Sequence, residues 1–219
     1  MTEQAKETGM NLITQTMKVH YEKIFEKYGA NVQGVDWGRA GDEKRLELRY
    51  EKMLQIVHVA DSGRSCSVLD VGCGYGGLYQ YAMKQGYSLE YTGIDICENM
   101  IEYAERKYRG GVFVCGDILE TNLEQGFDFV ICNGILTQKL DISIRDMDLY
   151  ARQLIQRMWE LSKKGIVFNV MKSQVDFMND NLYYKSPLEM IAYCMTLTNK
   201  FVLDSSYPLY EYSIYLYKN

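Results

Sequence analysis

A glycine-rich turn at residues 68–77 (VLDVGCGYGG) is the part of this sequence whose residue types and spacing are best suited to chemistry. An apolar stretch runs into Gly72 and Gly74, which have no side chains and therefore let the backbone approach a ligand closely. The helix expected after the turn presents free backbone N–H groups. Because ligands of open α/β sheets bind beyond the carboxyl ends of the strands, the turn predicts a cofactor site.

Three acidic residues adjoin the predicted strands and could bind polar groups of the same cofactor. Asp70 interrupts an apolar strand just before the first glycine, Asp95 ends the next strand, and Asp117 follows the third. A carboxylate has two oxygens that can accept a fork of hydrogen-bond donors.

The elements that position these residues alternate between strands and helices from Cys66 onward. We predict strands at residues 67–71, 89–94, 112–115, 127–132 and 166–170, and helices at 77–84, 98–108 and 145–162. This alternation requires a mostly parallel sheet with helices on both faces, a doubly wound α/β fold. Ser186 and Pro187 open a further helix, and the strands at 201–205 and 210–217 are antiparallel because their connection is short.

The first third of the chain is predicted to be helical. Residues 17–28 form a short amphipathic helix, 29–41 are irregular, and Asp42 can cap a helix that runs to about residue 59. We expect residues 1–60 to form an N-terminal helical cap segment and 61–219 the core of a single domain. Trp37, which lies among glycines, either covers the site or anchors the core. Arg49 either meets a ligand carboxylate or, as the pattern favours, lies on a solvated helical face.

Two cofactors fit the glycine turn. Gly72, Gly74 and Gly77 satisfy the dinucleotide pattern G-x-G-x-x-G, which keeps an NAD-dependent oxidoreductase as an alternative. Asp70 stands where a dinucleotide-binding strand usually stays apolar, however, and the antiparallel strand pair suits a different sheet. Both features favour S-adenosylmethionine.

At this point the sequence resembles the class I S-adenosylmethionine-dependent methyltransferases. The resemblance rests on four segments in the same order, at residues 69–74 (LDVGCG), 91–95 (YTGID), 115–118 (CGDI) and 127–133 (FDFVICN). It implies a Rossmann-like methyltransferase fold with a mixed seven-stranded sheet and an N-terminal helical cap. It also implies methyl transfer from S-adenosylmethionine to the oxygen or nitrogen of a small-molecule acceptor.

The resemblance also implies roles for individual residues. Asp95 would accept both ribose hydroxyls, Asp117 would accept from the adenine amino group, and Asn133 would lie near the sulfonium; a turn or cap role is the alternative for Asp117 and Asn133. The full set of expected cofactor-binding residues is Trp37, Gly72, Cys73, Gly74, Asp95, Ile96, Met100, Gly116, Asp117, Ile118, Asn133 and Gly134.

No catalytic base stands out in the sequence. Methyl transfer is an in-line displacement, so alignment does most of the catalysis, but a hydroxyl or amine acceptor must still lose a proton. His20 is one candidate base, and a structural histidine on the first helix is the alternative. A protein that binds the cofactor without catalysis therefore stays a third hypothesis.

Composition restricts the partners. The 219 residues carry a formal net charge of -5, which disfavours nucleic acid, and no apolar run is long enough to predict a membrane span. The six cysteines form no C-x-x-C pair and only two histidines are present, so we expect no metal site. The cysteines suggest reduced, buried thiols in a cytoplasmic protein. The oligomeric state cannot be predicted.

Overall fold

A computed structural model describes residues 3–58, 65–123 and 126–218, with side chains from residue 12 onward. The helices are α1 (Glu3–Tyr28), α2 (Glu43–His58), α3 (Gly77–Lys84), α4 (Glu98–Lys107), α5 (Ile144–Leu161) and α6 (Pro187–Cys194). The strands are β1 (Cys66–Val71), β2 (Leu89–Asp95), β3 (Val112–Cys115), β4 (Phe127–Cys132), β5 (Ser162–Lys172), β6 (Tyr184–Lys185), β7 (Phe201–Asp204) and β8 (Glu211–Tyr217).

The sheet has the order β3-β2-β1-β4-β5-β8-β7, with β6 paired to β5 outside this path. All pairings are parallel except those of β8, which runs antiparallel to both β5 and β7. The predicted doubly wound mixed sheet is therefore confirmed. The sequence analysis missed β6, a two-residue strand that is too short to show a periodic pattern.

The carboxyl ends of four parallel strands meet at one edge of the sheet. Val71 at the end of β1 pairs with Ile94 of β2 and with Cys132 of β4, and Asp95 of β2 pairs with Cys115 of β3. The segments that follow these strands therefore lie side by side. They are the four segments that the sequence singles out.

Alternate residues of the central strands pack against helices on the two faces of the sheet. Leu69 and Val130 belong to a cluster with α5, whereas Val68 and Ile131 belong to one with α2. Each buried aliphatic side chain contributes about 1.5–3 kcal/mol to folding, so the two layers hold the site-bearing edge rigidly.

One helix of the cap segment differs from its prediction. The first begins at Glu3 rather than at residue 17, and Ile13 and Met17, one turn apart, both pack in the core. The second runs from Glu43 to His58, as predicted for a helix after Asp42, and its predicted end at residue 59 lies outside the described residues. Within the described part of the chain, no helix is long and apolar enough to cross a membrane. The cytoplasmic location stays a prediction.

Candidate functional site

A pocket opens at the carboxyl edge of β1, β2, β3 and β4, where the sequence analysis expects the cofactor. All twelve residues that were expected to bind the cofactor line it. Ile135, which the sequence places with Asn133 and Gly134 in the wall near the sulfonium, also lines it. Several further lining residues were not predicted from the sequence: Met17, Tyr21, Val35, Tyr50, Tyr75 and Tyr150. The structure thus brings the four segments together with two parts of the cap.

The glycine turn follows β1 and forms one wall of this pocket. Gly72 and Gly74 have φ angles of 74° and 54°, in the left-handed region that favours glycine. A Cβ atom on Gly72 would lie 2.7 Å from Cγ1 of Ile135, a pocket residue beyond β4. The turn therefore requires glycine both for its backbone conformation and for the close approach of the next loop.

Asp95 lies at the end of β2 with its carboxylate held by two backbone amides. Oδ2 accepts from the Gly74 N–H at 2.8 Å, and Oδ1 accepts from the Cys97 N–H at 2.9 Å. Burial raises the pKa of the Asp95 carboxyl, and the two amides oppose this shift because they stabilise the charged form. Each oxygen keeps capacity for a second donor, which suits a ligand with two neighbouring hydroxyls.

Asp117 joins the loop after β3 to the N-terminal helix. Its Oδ1 accepts from the Leu119 N–H at 2.9 Å, and its Oδ2 accepts from Oγ1 of Thr14 at 2.7 Å. The first bond is the local turn that the sequence analysis weighed as the alternative role. Asp117 also lines the pocket, so one side chain both shapes the loop and faces the site.

The loop after β4 forms the wall next to the glycine turn. Gly134 has a φ of 104°, and its N–H donates to Oδ1 of Asn169 at 2.8 Å. A Cβ atom on Gly134 would lie 2.5 Å from Cζ2 of Trp37, so the indole closes directly on this backbone. Beside it, Oδ1 of Asn133 is buried and has no hydrogen-bond partner among the described residues. An unpaired buried acceptor costs free energy, so this wall is suited to a ligand that brings a donor.

Trp37 and Arg49 connect the cap to the sheet beneath it. The Arg49 guanidinium carbon lies 3.9 Å from the centre of a Trp37 ring, a cation–π contact. Arg49 Nε is 2.8 Å from Glu211 Oε1, and the two side chains are only 9% and 1% exposed. These atoms are poorly aligned for a hydrogen bond, so the contact is a buried ion pair. The prediction that Arg49 lies on a solvated face is wrong, because Glu211 of β8 compensates its charge.

Asp70 lies beneath the turn in a fully buried environment. Burial raises the pKa of its carboxyl to about 7, and the hydrogen bond that the Tyr91 hydroxyl donates at 2.6 Å lowers it in part. The residue lines the pocket. It can therefore be protonated or charged near neutral pH, depending on what the pocket holds.

His20, the candidate base, does not line the pocket but lies beside it. It follows Met17 and precedes Tyr21, which do line the pocket, and its Nε2 lies 3.0 Å from Oδ2 of Asp36. The structure thus gives the histidine a carboxylate partner that the sequence could not indicate.

Comparison with known proteins agrees with this geometry. A family profile described as "Methyltransferase domain" matches residues 62–203, and the chain therefore belongs to this methyltransferase family. A Mycobacterium tuberculosis protein named as a methyltransferase is 29% identical over 171 residues, which cover 75% of this chain and 99% of that protein. A malonyl-[acyl-carrier protein] O-methyltransferase of Acetivibrio thermocellus is 40% identical over 119 residues, 53% of this chain and 38% of that protein.

Solved structures share the fold. Magnesium protoporphyrin IX methyltransferase from Synechocystis PCC 6803 with bound SAH superposes with a TM-score of 0.66 at 14% identity, covering 96% of this chain and all of that one (100%). The chain has the Rossmann-like methyltransferase fold and is an S-adenosylmethionine-dependent methyltransferase. The nicotinamide alternative receives no support. The unpaired Asn133 acceptor and the open lone pairs of Asp95 fit a cofactor that carries ammonium and hydroxyl donors.

Proposed function

We propose that the protein transfers the methyl group of S-adenosylmethionine to an oxygen or nitrogen atom of a small-molecule acceptor. The observation that carries this proposal is the cap, since Met17 and Tyr21 of α1 and Val35 and Trp37 of the following loop line the pocket. Because the N-terminal segment covers the pocket, a small molecule fits it better than a macromolecule does. The net charge of -5 disfavours nucleic acid as the acceptor.

The residues after β2 and β3 hold the adenosyl part in this proposal. Asp95 accepts the two ribose hydroxyls, and Asp117 accepts from the adenine amino group. The adenine lies among apolar side chains and backbone from the same two segments: Ile96, Met100, Gly116 and Ile118. Apolar walls with a few placed polar groups are typical of cofactor pockets.

The glycine turn and the loop after β4 hold the methionine part. Gly72, Cys73 and Gly74 bring backbone close to the ligand, and Asp70 supplies a buried carboxylate that attracts positive charge. Asn133 and Gly134 line the wall beside the transferred methyl group. When bound, the cofactor supplies a methyl carbon activated by positive sulfur, and these residues align it.

Oxygen is the preferred acceptor atom. Curated relatives named for their reaction include the malonyl-[acyl-carrier protein] O-methyltransferase above and a ubiquinone biosynthesis O-methyltransferase of Coxiella burnetii, 32% identical over 105 residues. The alignment with the Coxiella burnetii protein covers 46% of this chain and 44% of that protein. These names support O-methylation and leave the acceptor itself open.

Isothermal titration with S-adenosylhomocysteine tests the proposed cofactor site. We expect Asp95→Ala to weaken binding at least about tenfold, since a charge-assisted hydrogen bond contributes about 1.5–3 kcal/mol. Glu90→Ala is the matched control, because Glu90 lies on the same strand but is exposed. Equal affinity for the two variants would remove Asp95 from the site, and absence of binding to the wild type would overturn the proposed function.

A further inference from the structure

His20 and Asp36 form a pair at the rim of the pocket. His20 lies on α1 and Asp36 on the loop that follows it, and His20 Nε2 is 3.0 Å from Asp36 Oδ2. The side chains are 27% and 33% exposed, so both are reachable from solvent while partly covered. A histidine paired with a carboxylate is the arrangement that proteins use to hold a base in one tautomer.

The carboxylate of this pair is fixed by more than the histidine. Gln138 Nε2 donates to the same Asp36 oxygen at 2.7 Å, and Asn181 Nδ2 donates to Gln138 Oε1 at 3.1 Å. Asp36 has a φ of 55°, in the left-handed region that is uncommon for a non-glycine residue. Helix α1 and the loop after β4 thus hold one side chain in a strained backbone position, as is frequent at functional sites, and Asn181 in turn holds Gln138.

The pair lies on the acceptor side of the pocket. Asp36 stands between Val35 and Trp37, which both line the pocket, and the Trp37 ring packs on Gly134 after β4. In the sheet, β4 is three strands away from β3, about 14 Å at the usual strand spacing. The adenine end at Asp117 is therefore far from Asp36.

The course of α1 separates His20 from the adenine contact. Thr14 contacts Asp117, and His20 is six residues further along the helix, about 9 Å at 1.5 Å per residue. Met17, which lines the pocket, lies one turn before His20 on the same helix face. Beyond His20 the helix packs through Phe25 on Tyr75 of the glycine turn and on Tyr103 of α4.

The hydrogen bond to Asp36 determines which nitrogen can act. A carboxylate only accepts, so a neutral His20 must carry its proton on Nε2, and its lone pair is then on Nδ1. On protonation of Nδ1, the Asp36 carboxylate stabilises the resulting imidazolium. The pair therefore has the geometry of a general base that is held in place by a carboxylate.

We infer that His20 is the catalytic base and Asp36 its positioning residue, and that the acceptor carries a proton on its nucleophilic atom. This inference rests on the proposed function. The acceptor oxygen or nitrogen forms the bond to the methyl carbon, and the carbon–sulfur electron pair goes to sulfur, which becomes a neutral thioether. The acceptor proton goes to Nδ1 of His20 and then to solvent. A carboxylate acceptor, already ionised at neutral pH, needs no such base.

Turnover with three probes tests the acceptor class. Release of S-adenosylhomocysteine is measured with catechol, benzylamine and benzoate at equal concentrations, so that hydroxyl, amine and carboxylate acceptors are distinguished. We expect methylation of catechol or benzylamine and not of benzoate. Methylation of benzoate, or of none of the three by a protein that binds S-adenosylhomocysteine, overturns the inference but leaves the cofactor site intact.

Three variants test the residues themselves. General-base catalysis contributes about 10²–10⁴-fold, so His20→Ala is expected to lower kcat at least about 100-fold and to regain activity with added imidazole. Asp36→Asn is expected to lower kcat about tenfold. Added to His20→Ala, it should lower kcat little further, because His20 and Asp36 act as one unit. Glu26→Gln, an exposed change on the same helix, is the control and keeps wild-type kcat.

A binding measurement separates catalysis from folding. All variants should bind S-adenosylhomocysteine with wild-type affinity, since neither His20 nor Asp36 contacts the proposed adenosyl site. With S-adenosylhomocysteine present, bound 4-nitrocatechol should ionise at lower pH in the wild type than in His20→Ala, as its absorbance reports. Equal ionisation in both proteins, or a kcat of His20→Ala near the wild-type value, would show that the pair is only structural.

Discussion

Thr14 Oγ1 donates a hydrogen bond of 2.7 Å to Asp117 Oδ2, which ties the N-terminal helix to the loop after β3 across 103 residues. The bond holds α1 over the adenine end of the proposed site. It also fixes the orientation of the carboxylate that would accept from adenine. Thr14 is therefore one of the points at which the cap and the cofactor site are connected.

Replacement of this threonine is expected to weaken cofactor binding. Thr14→Val keeps the shape of the side chain but removes the hydroxyl, and a hydrogen bond to a carboxylate contributes about 1.5–3 kcal/mol, so S-adenosylhomocysteine should bind about tenfold more weakly. Thr16→Val is the control, since the Thr16 hydroxyl donates only to the Leu12 carbonyl of its own helix. If titration calorimetry gives Thr14→Val and Thr16→Val equal affinities for S-adenosylhomocysteine, the Thr14 bond does not support the cofactor site.

The contact between Gly134 and Trp37 predicts a clash that a second variant can relieve. Gly134→Ala would place a Cβ 2.5 Å from the indole at a φ of 104°. Gly86→Ala is the control for backbone strain alone, because Gly86 has a φ of 81° and nothing within 4 Å of a Cβ.

Overpacking costs about 1–3 kcal/mol, so urea unfolding should show Gly134→Ala to be less stable than Gly86→Ala by about that amount. The additional change Trp37→Ala should reduce the difference. If the two glycine variants lose equal stability, the indole is not in contact with this backbone.

Asp70 predicts a specific dependence of stability on pH. The pKa of its carboxyl is about 7 in the folded protein, because burial raises it from the ordinary value of 3.8. Between these values the folded state binds the proton more tightly than the unfolded state does, so this contribution is present below about pH 4 and is lost as pH rises to 7. The loss is a few kcal/mol, at about 1.4 kcal/mol per pKa unit.

Melting curves of the cofactor-free protein should reveal this contribution. The side chain in Asp70→Asn cannot titrate. The Tm of the wild type should therefore fall relative to the Tm of the variant as the pH rises from 4.5 to 7.5. Affinity for the positively charged cofactor should increase over the same window in the wild type only. If the Tm of the two proteins depends on pH in the same way, the pKa of the Asp70 carboxyl is not raised.

The buried pair of Arg49 and Glu211 predicts strong coupling between α2 and β8. Glu211→Leu leaves the Arg49 charge buried without compensation, which costs about 3–5 kcal/mol, and Arg49→Met in the same chain should recover most of it. Arg45→Ala should change stability by less than about 0.5 kcal/mol, since its side chain is 49% exposed. Urea unfolding of the wild type, Glu211→Leu, Arg49→Met, the double variant and Arg45→Ala measures these differences. Additive losses in the double variant would mean that the two charges do not interact.

The sheet and the cofactor-binding segments could be predicted because their information is local. Gly72 directly follows a strand and Asp95 ends one. Each therefore lies at the carboxyl edge of the sheet, whatever the rest of the chain does. The same locality explains why all twelve expected residues line one pocket. Their individual roles in binding stay predictions.

The contacts of the cap could not be predicted because they join residues far apart in sequence. The helical pattern of α2 placed Arg49 on a polar face, but only the fold brings Glu211 against it. Likewise the sequence gave no indication that Asp36 would pair with His20 or that Gln138 would bind Asp36, since 16 and 102 residues separate the members of these pairs. Amphipathic periodicity identifies a buried face without identifying its partner.

The position of β8 between β5 and β7 has a consequence for how the protein is made. During synthesis β5 and β7 leave the ribosome before β8. β5 can pair with β4, but its other edge stays open, and β7 lacks its neighbour in the sheet until residues 211–217 have emerged. Glu211, the partner of Arg49, arrives with the same strand. Until β8 has been made, the nascent chain therefore carries an open sheet edge and an uncompensated arginine, which chaperones would have to protect.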